Sequence, residues 1–141
     1  MTVFVRYVLI FFACLSLALP AAIASERQHQ IDIWLQKTVE EDTSTAGMRN
    51  ATIRARELWD QEMNRAYKNL MARLNADQQS ILKESQRNWI KFRDSEFRAI
   101  SSIVASMDGT MWQLIATNNG MEIVRQRALQ LIAYESAVIG E

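Results

Sequence analysis

Apolar residues recur at steps of three and four along most of the chain after residue 25, and this periodicity constrains the fold most. The clearest segment runs from Ala46 to Leu74 and contains no helix breaker after Gly47. Its apolar positions form one helical face: Ala55, Leu58, Trp59, Met63, Ala66, Tyr67, Leu70, Met71 and Leu74. One Pro and four Gly in 141 residues disfavour a β fold with many turns. The sequence therefore predicts an all-α domain.

Two further helices lie on either side of this segment in the sequence. Before it, Ile31, Trp34 and Leu35 have helical spacing, and a polar run over 40–45 supplies side-chain oxygens for a new helix N-terminus. After it, Asn75 and Gln78 fit a capping box, and so short a connection predicts a third helix that folds back antiparallel. The stripe of that helix comprises Ile81, Leu82, Ser85, Trp89, Phe92, Phe97, Ile100, Ile103, Val104 and Met107.

The last third of the sequence predicts two shorter helices. Asp108-Gly109 is expected to end the third helix, because Gly can adopt the left-handed conformation found at helix ends. Capping-box patterns at 110–113 and 119–122 predict a short helix through Ala116 and then a final helix. We therefore expect an antiparallel helical bundle with two long central helices and shorter flanking helices. The expected inward residues of the final helix are Val124, Ala128, Leu131, Ile132 and Tyr134.

The first 24 residues form a separate unit that is typical of a secretory signal peptide. Arg6 precedes an apolar run over 7–19, and Ala22-Ile23-Ala24 fits the small-residue cleavage pattern. A membrane-spanning helix needs about 20 apolar residues, and this run is shorter. We therefore expect no stable membrane span after cleavage. The sequence therefore predicts a signal peptide over 1–24, one helical domain over 25–141, and a periplasmic or secreted location.

Composition and motifs argue against catalysis and against several kinds of ligand. Sixteen basic residues balance sixteen acidic ones, so nothing indicates a nucleic-acid partner. The single cysteine, Cys14, lies in the signal segment, and the single histidine, His29, is expected to be a solvated side chain near the mature N-terminus. The chain has no zinc-binding helix motif and no glycine-rich phosphate loop. We therefore expect no enzyme activity, no cofactor and no metal site.

Several polar residues lie close to the apolar stripes. Asp60 and Asn64 are four residues apart on the second helix, Arg93 follows Phe92, and Arg127 precedes Ala128. The favoured interpretation is structural: Asp60, Arg93 and Arg127 fix the helix register through partly buried ion pairs. A ligand site is the alternative. The tryptophans are expected in the core rather than on a recognition surface: Trp34, Trp59, Trp89 and Trp112.

The order of the motifs resembles the LprI-type lysozyme-inhibitor-like domain of secreted bacterial proteins, over nearly the whole of 25–141. The most specific part is the pair D-x-x-M-N-x-x-Y, starting at Asp60, and Q-x-x-W-x-x-x-R-D, ending at Asp94. Other matching stretches are Ile31-Asp32-x-Trp34-Leu35, Thr45-Ala46-Gly47-Met48, Asp108-Gly109-Thr110-Met111 and Arg127-Ala128-x-x-Leu131. Many members carry cysteines that look paired, one of them near the place of Phe97 here, whereas 25–141 contains none.

The resemblance implies an exported helical protein that binds and inhibits lysozyme or a related wall-degrading enzyme. Such an inhibitor must enter a sugar-binding cleft, usually with a projecting loop. The predicted binding loop is Asp108, Gly109, Thr110, Met111 and Trp112. In the alternative, this is an ordinary turn whose Met111 and Trp112 pack into the core. A competing function is a structural or chaperone-like envelope protein that binds another envelope protein through an apolar groove.

Overall fold

A computed structural model describes residues 28–140 and confirms an all-α fold over this range. Four helices follow one another: α1 (Gln30–Glu41), α2 (Thr45–Arg73), α3 (Ala76–Val104) and α4 (Thr110–Ile139). The predicted signal peptide over 1–24 lies outside the described residues.

The first three helices begin where their capping residues stand. The Ser44 hydroxyl accepts a hydrogen bond from the backbone N–H of Gly47 at 3.0 Å and so begins α2. Asn75 and Gln78 form the predicted reciprocal capping box of α3, with both bonds at 3.0 Å. His29, expected to be a solvated side chain, is instead partly buried and has a structural role. Its Nδ1 accepts from the Ile31 N–H at 3.2 Å, which caps α1, and its ring lies 4.4 Å from that of Trp59.

The two predicted C-terminal helices are one continuous helix, α4, of 30 residues. Gly109 does have positive φ, at 103°, but it stands at the N-cap of α4 instead of closing α3, which ends at Val104. Gly120 lies inside α4 and is buried, and a Cβ built there would come 3.5 Å from a Phe97 ring carbon. Gly120 therefore lies in the helical interior of α4 without interrupting it, and its surroundings leave room for an alanine methyl group.

The central pair of the bundle is α2 and α4, whereas the sequence favoured α2 and α3. Interhelical contacts show the directions: Arg65 of α2 meets Glu135, and Arg56 lies near Gly120, so α2 and α4 are parallel. α3 runs antiparallel to both, as its short connection to α2 predicts. α2 and α4 each contain seven buried residues, whereas Leu82 is the one buried residue of α3. The apolar face predicted for α3 is therefore only partly covered by the other helices.

The core contains fewer of the aromatic residues than expected. Trp59 is completely buried and Trp89 packs against the core, but Trp34 and Trp112 are 36% and 41% exposed. Tyr134, expected to face inward, is 47% exposed. Small residues let α2 and α4 approach closely instead. The buried apolar residues are Ile31, Ala51, Ala55, Trp59, Met63, Ala66, Leu70, Leu82, Met121, Val124, Ala128 and Leu131.

Candidate functional site

The predicted binding loop lies at one end of the bundle, at the turn from α3 into α4. All five of its residues are exposed, over 108–112. Met111 and Trp112 are 55% and 41% exposed, so these two side chains do not pack into the core. Met107, on the α3 side of the turn, is 39% exposed. The turn therefore presents three large apolar side chains to solvent around Gly109.

The backbone of this turn differs from the other helix starts. After α3 the chain forms a tight turn, in which the Met107 N–H donates to the Val104 carbonyl at 3.0 Å. Gly109 then takes φ 103° and ψ 151°, a conformation that favours glycine. Gly109 has no side chain to cap α4, unlike Ser44 and Asn75 at α2 and α3. The first N–H groups of α4 are therefore left without a side-chain acceptor.

An apolar depression of about 340 Å³ lies close to the start of α4. α1 contributes Leu35 and Val39, and α4 contributes Leu114 and Ile115. Ile115 is 40% exposed and follows Met111 by one helical turn. The apolar surface at the turn therefore continues into this depression.

The motif residues on α2 and α3 do not form the expected ion pairs between helices. The Asn64 amide donates to an Asp60 carboxylate oxygen at 3.0 Å, within α2. Arg93 donates through Nε and Nη2 to its sequence neighbour Asp94 at 2.9 and 2.7 Å. Asp60 and Arg93 face a shared groove of about 500 Å³ that Phe97 and Val124 also line. Arg56 and Arg93 lie 5.7 and 5.9 Å from the Phe97 ring centre, which suits cation–π contact.

Arg127 does connect two helices, but through neutral acceptors. It is 6% exposed and donates to the Gln86 side-chain oxygen at 3.0 Å and to the Ser85 hydroxyl at 3.2 Å, both on α3. A third bond goes to Gln130, one turn along α4. Burial lowers the pKa of Arg127 because the charged form loses hydration. Gln86, from the second motif, is thus a positioning partner that sequence reasoning did not single out.

The ion pairs between helices involve residues that the sequence did not indicate. Arg125 of α4 makes a two-pronged pair with Asp32 of α1, at 2.9 and 2.8 Å, which raises the pKa of Arg125. Glu135 accepts from Asn69 at 2.7 Å and from Arg65 at 3.1 Å. These bonds, that of Asn69 first, lower the pKa of Glu135. The partners are 93 and 70 residues apart for Asp32–Arg125 and Arg65–Glu135, a distance that helical periodicity cannot bridge.

Residues 28–140 contain neither a cluster suited to a metal ion nor a helix suited to a membrane. Within this range, His, Asp and Glu side chains nowhere gather in threes in an arrangement that could hold a metal ion. No helix of the same range combines the length and the apolar character needed to cross a membrane.

Comparison with known proteins confirms the resemblance. A family model described as lysozyme inhibitor LprI matches residues 36–131, more than half of the chain. The crystal structure of an uncharacterized protein from Burkholderia thailandensis is similar, with a TM-score of 0.75 and 27% identity over 79% of this chain. The match spans 56% of the Burkholderia chain. No curated protein matches. By the extent of the family match, the chain belongs to the LprI lysozyme-inhibitor family.

Proposed function

We propose that this protein binds lysozyme, or a related wall-degrading enzyme, and inhibits it through the turn between α3 and α4. Membership of the LprI family supports this kind of partner. The observation that carries the proposal is the exposed start of α4, where uncapped N–H groups lie beside Met111 and Trp112. We propose a binding role and assign no reaction, cofactor or nucleic-acid partner to the protein.

The start of α4 offers the two kinds of contact that a lysozyme cleft requires. Lysozyme catalysis uses a pair of carboxyl groups. The positive end of a helix dipole, with free N–H groups, suits a carboxylate. Sugar-binding clefts also accept aromatic and apolar side chains, which Trp112 and Met111 can supply. The exposed turn at the end of the bundle is the part that we expect to enter such a cleft.

The test is inhibition of cell lysis by the chain from residue 25 onward, which contains all four helices. Wild type should inhibit at least one lysozyme class at near-stoichiometric ratios. The Met111→Ser, Trp112→Ser double variant should lose inhibition by about tenfold or more, as hot-spot contacts do. Because both side chains are exposed, its thermal stability should change little. The matched control is Tyr134→Ser, which alters an equally exposed aromatic residue at the far end of α4 and should inhibit like wild type.

Two results would contradict the proposal in different ways. Failure of wild type to bind or inhibit any of several lysozyme classes would remove the function. Full inhibition by the double variant would keep the function but remove the turn as its site.

We propose, further, that the protein acts in the periplasm or outside the cell after removal of residues 1–24. The charged start, apolar run and cleavage pattern of this segment support export. N-terminal sequencing of the protein recovered from the cell envelope should begin near Ser25. Recovery of an uncleaved chain would contradict it.

A second candidate function is a structural or chaperone-like envelope protein that holds an apolar segment of a partner. The apolar depression formed by Leu35, Val39, Leu114 and Ile115 favours it. Under this alternative, the protein should suppress aggregation of an unfolded client, and Leu114→Gln should weaken that effect. Lysozyme inhibition with no effect on aggregation would exclude the alternative.

A further inference from the structure

Three large apolar side chains stand at equal intervals along the outer surface of α3. Ile81, Phe92 and Ile103 are 68%, 52% and 59% exposed. They are spaced by eleven residues, which is about three full turns, so they lie on one line along the helix. The line is about 33 Å long, which makes it a continuous feature of the molecule and not a scatter of single exposed residues.

Most positions between these three residues carry no charge, and Glu96, four residues after Phe92, is the charged residue nearest to the line. On or beside the same line α3 presents four exposed small or neutral residues, Ser85, Asn88, Ser95 and Ala99. The other charged residues of α3 stand farther to the sides of the line. We call the line from Ile81 to Ile103 the α3 stripe. A helix face with few charges and large exposed apolar side chains suits burial against a partner.

The α3 stripe is partly symmetric about Phe92. Reversing α3 end for end around this residue places Ile81 opposite Ile103, Ser85 opposite Ala99, and Asn88 opposite Glu96, whose carboxylate can accept a hydrogen bond from the Asn88 amide. A two-fold symmetric dimer needs a surface that is complementary to itself in this way. Small side chains at 85 and 99 would let two helices approach, while the two Phe92 rings meet at the axis.

The charges along one side of the stripe also fit a reversed copy. Glu84, Lys91 and Arg98 follow one another there, all exposed. Reversal around Phe92 brings Arg98 of a second copy level with position 86, about 3 Å along the axis from Glu84. Neither Glu84 nor Arg98 has an ion-pair partner within residues 28–140. Two favourable Glu84–Arg98 ion pairs would form in the dimer. One repulsive contact between the two copies of Lys91 would oppose them.

We infer that the protein forms a two-fold symmetric dimer in which the α3 stripes of two copies pack antiparallel, with the axis at Phe92. The inference does not rest on the lysozyme proposal, because the stripe lies along the helix and the proposed inhibitory turn at its end. It also explains why α3 has a single buried residue of its own, Leu82.

Light scattering on the chain from residue 25 onward tests the dimer. Wild type should show twice the monomer mass, and Phe92→Glu should show the monomer mass with unchanged helical circular dichroism. Ile33→Glu is the matched control, since Ile33 is 44% exposed on α1, and it should remain dimeric. A wild type that stays monomeric up to about 100 µM, the range of weak association, would overturn the inference.

Cysteine crosslinking tests the register without relying on the glutamate variant. Residues 25–141 contain no cysteine, so each introduced thiol is the only one. Phe92→Cys should form a disulfide-linked dimer on mild oxidation, because two-fold symmetry places the residue against itself. Ile81→Cys and Ile103→Cys should link to each other when mixed, and neither to itself. Self-linking of Ile81→Cys, or no link at position 92, would overturn the antiparallel arrangement.

Discussion

Arginine side chains make most of the specific contacts between the helices. Arg125 joins α4 to α1 through Asp32 and lies 5.5 Å from the ring centre of the buried Trp59. Arg127 joins α4 to α3, and Arg65 joins α2 to α4. Each contact is largely buried on at least one side, where loss of one partner leaves the other polar or charged group unpaired and is more costly than at the surface. With no cysteine in 25–141, these contacts and the packing of the core hold the helices together.

Glu135→Gln tests one of these contacts through its pH dependence. The hydrogen bonds from Asn69 and Arg65 hold the pKa of Glu135 below its ordinary value of 4.5. A lowered folded-state pKa adds stability that is present above the ordinary value and is lost as pH falls through the folded one. At pH 7 the variant should lose about 1–2 kcal/mol of unfolding free energy, discounted because Arg65 is partly exposed.

Urea denaturation at several pH values measures this effect. The difference between wild type and Glu135→Gln should shrink as pH falls below about 4.5, the ordinary carboxyl value. Glu62→Gln is the control, because Glu62 is the other carboxylate on Arg65 but belongs to a more exposed pair within α2. A difference that is constant with pH would show that Glu135 acts through packing and not through its charge.

At the level of single residues, the sequence predicted burial better than polar pairing. Periodicity alone placed Trp59, Met63 and Leu131 in the core, because burial depends on local helical spacing. It could not pair Asp32 with Arg125, since that contact depends on how separate helices are arranged. The sequence also predicted that Arg93 fixes the helix register through an ion pair, whereas Arg93 pairs with its own neighbour Asp94.

The helices themselves were predictable where side-chain caps mark their ends. Ser44 and Asn75 begin α2 and α3 as capping chemistry predicts. The error in α4 arose because Asn119 to Glu122 has the form of a capping box, yet packing keeps this stretch helical. A cap pattern only permits a helix to begin, and the burial of Gly120 and Met121 favours continuation.

Two glycine substitutions test how much room the neighbouring side chains leave beside the helix backbone. Gly120→Ala should raise the unfolding free energy by about 0.5–1 kcal/mol, because alanine favours the helix interior and its Cβ would make an ordinary contact with Phe97. Gly47→Ala should give no such gain. Its Cβ would overlap the Asp42 carboxylate, which would have to give up its bond to the Ser44 N–H. Thermal unfolding measures both, and an equal gain in the two variants would contradict this account.

On the scale of the whole molecule, the bundle has a firm centre and a less tightly held outer helix. α2 and α4 share most of the core, and α1 covers one side of it through Ile31. α3 attaches through Leu82, through half-buried aromatic residues and through the bonds of Arg127. The sequence could not rank the helices in this way, because α3 and α2 carry apolar stripes of similar length.

Hydrogen exchange should show this difference in stability. In dilute protein, amides in the middle of α3 should exchange faster than those in the middle of α2 and α4, because fewer buried contacts oppose local opening. Mass spectrometry of peptides from the three helices measures the rates. Equal protection in all three would contradict a loosely attached α3. Slower exchange in α3 at high protein concentration would accompany the proposed dimer.

The parallel arrangement of α2 and α4 also has a consequence for the time the chain needs to fold. Neighbouring helices in an up-and-down bundle can pair as soon as one short turn closes. Here α2 and α4, the central pair, are separated in the sequence by the whole of α3. Contacts between them, such as Arg65–Glu135, join residues 70 positions apart. Such non-local contacts slow folding at a given stability. The chain should therefore fold more slowly than an up-and-down helical bundle of equal length.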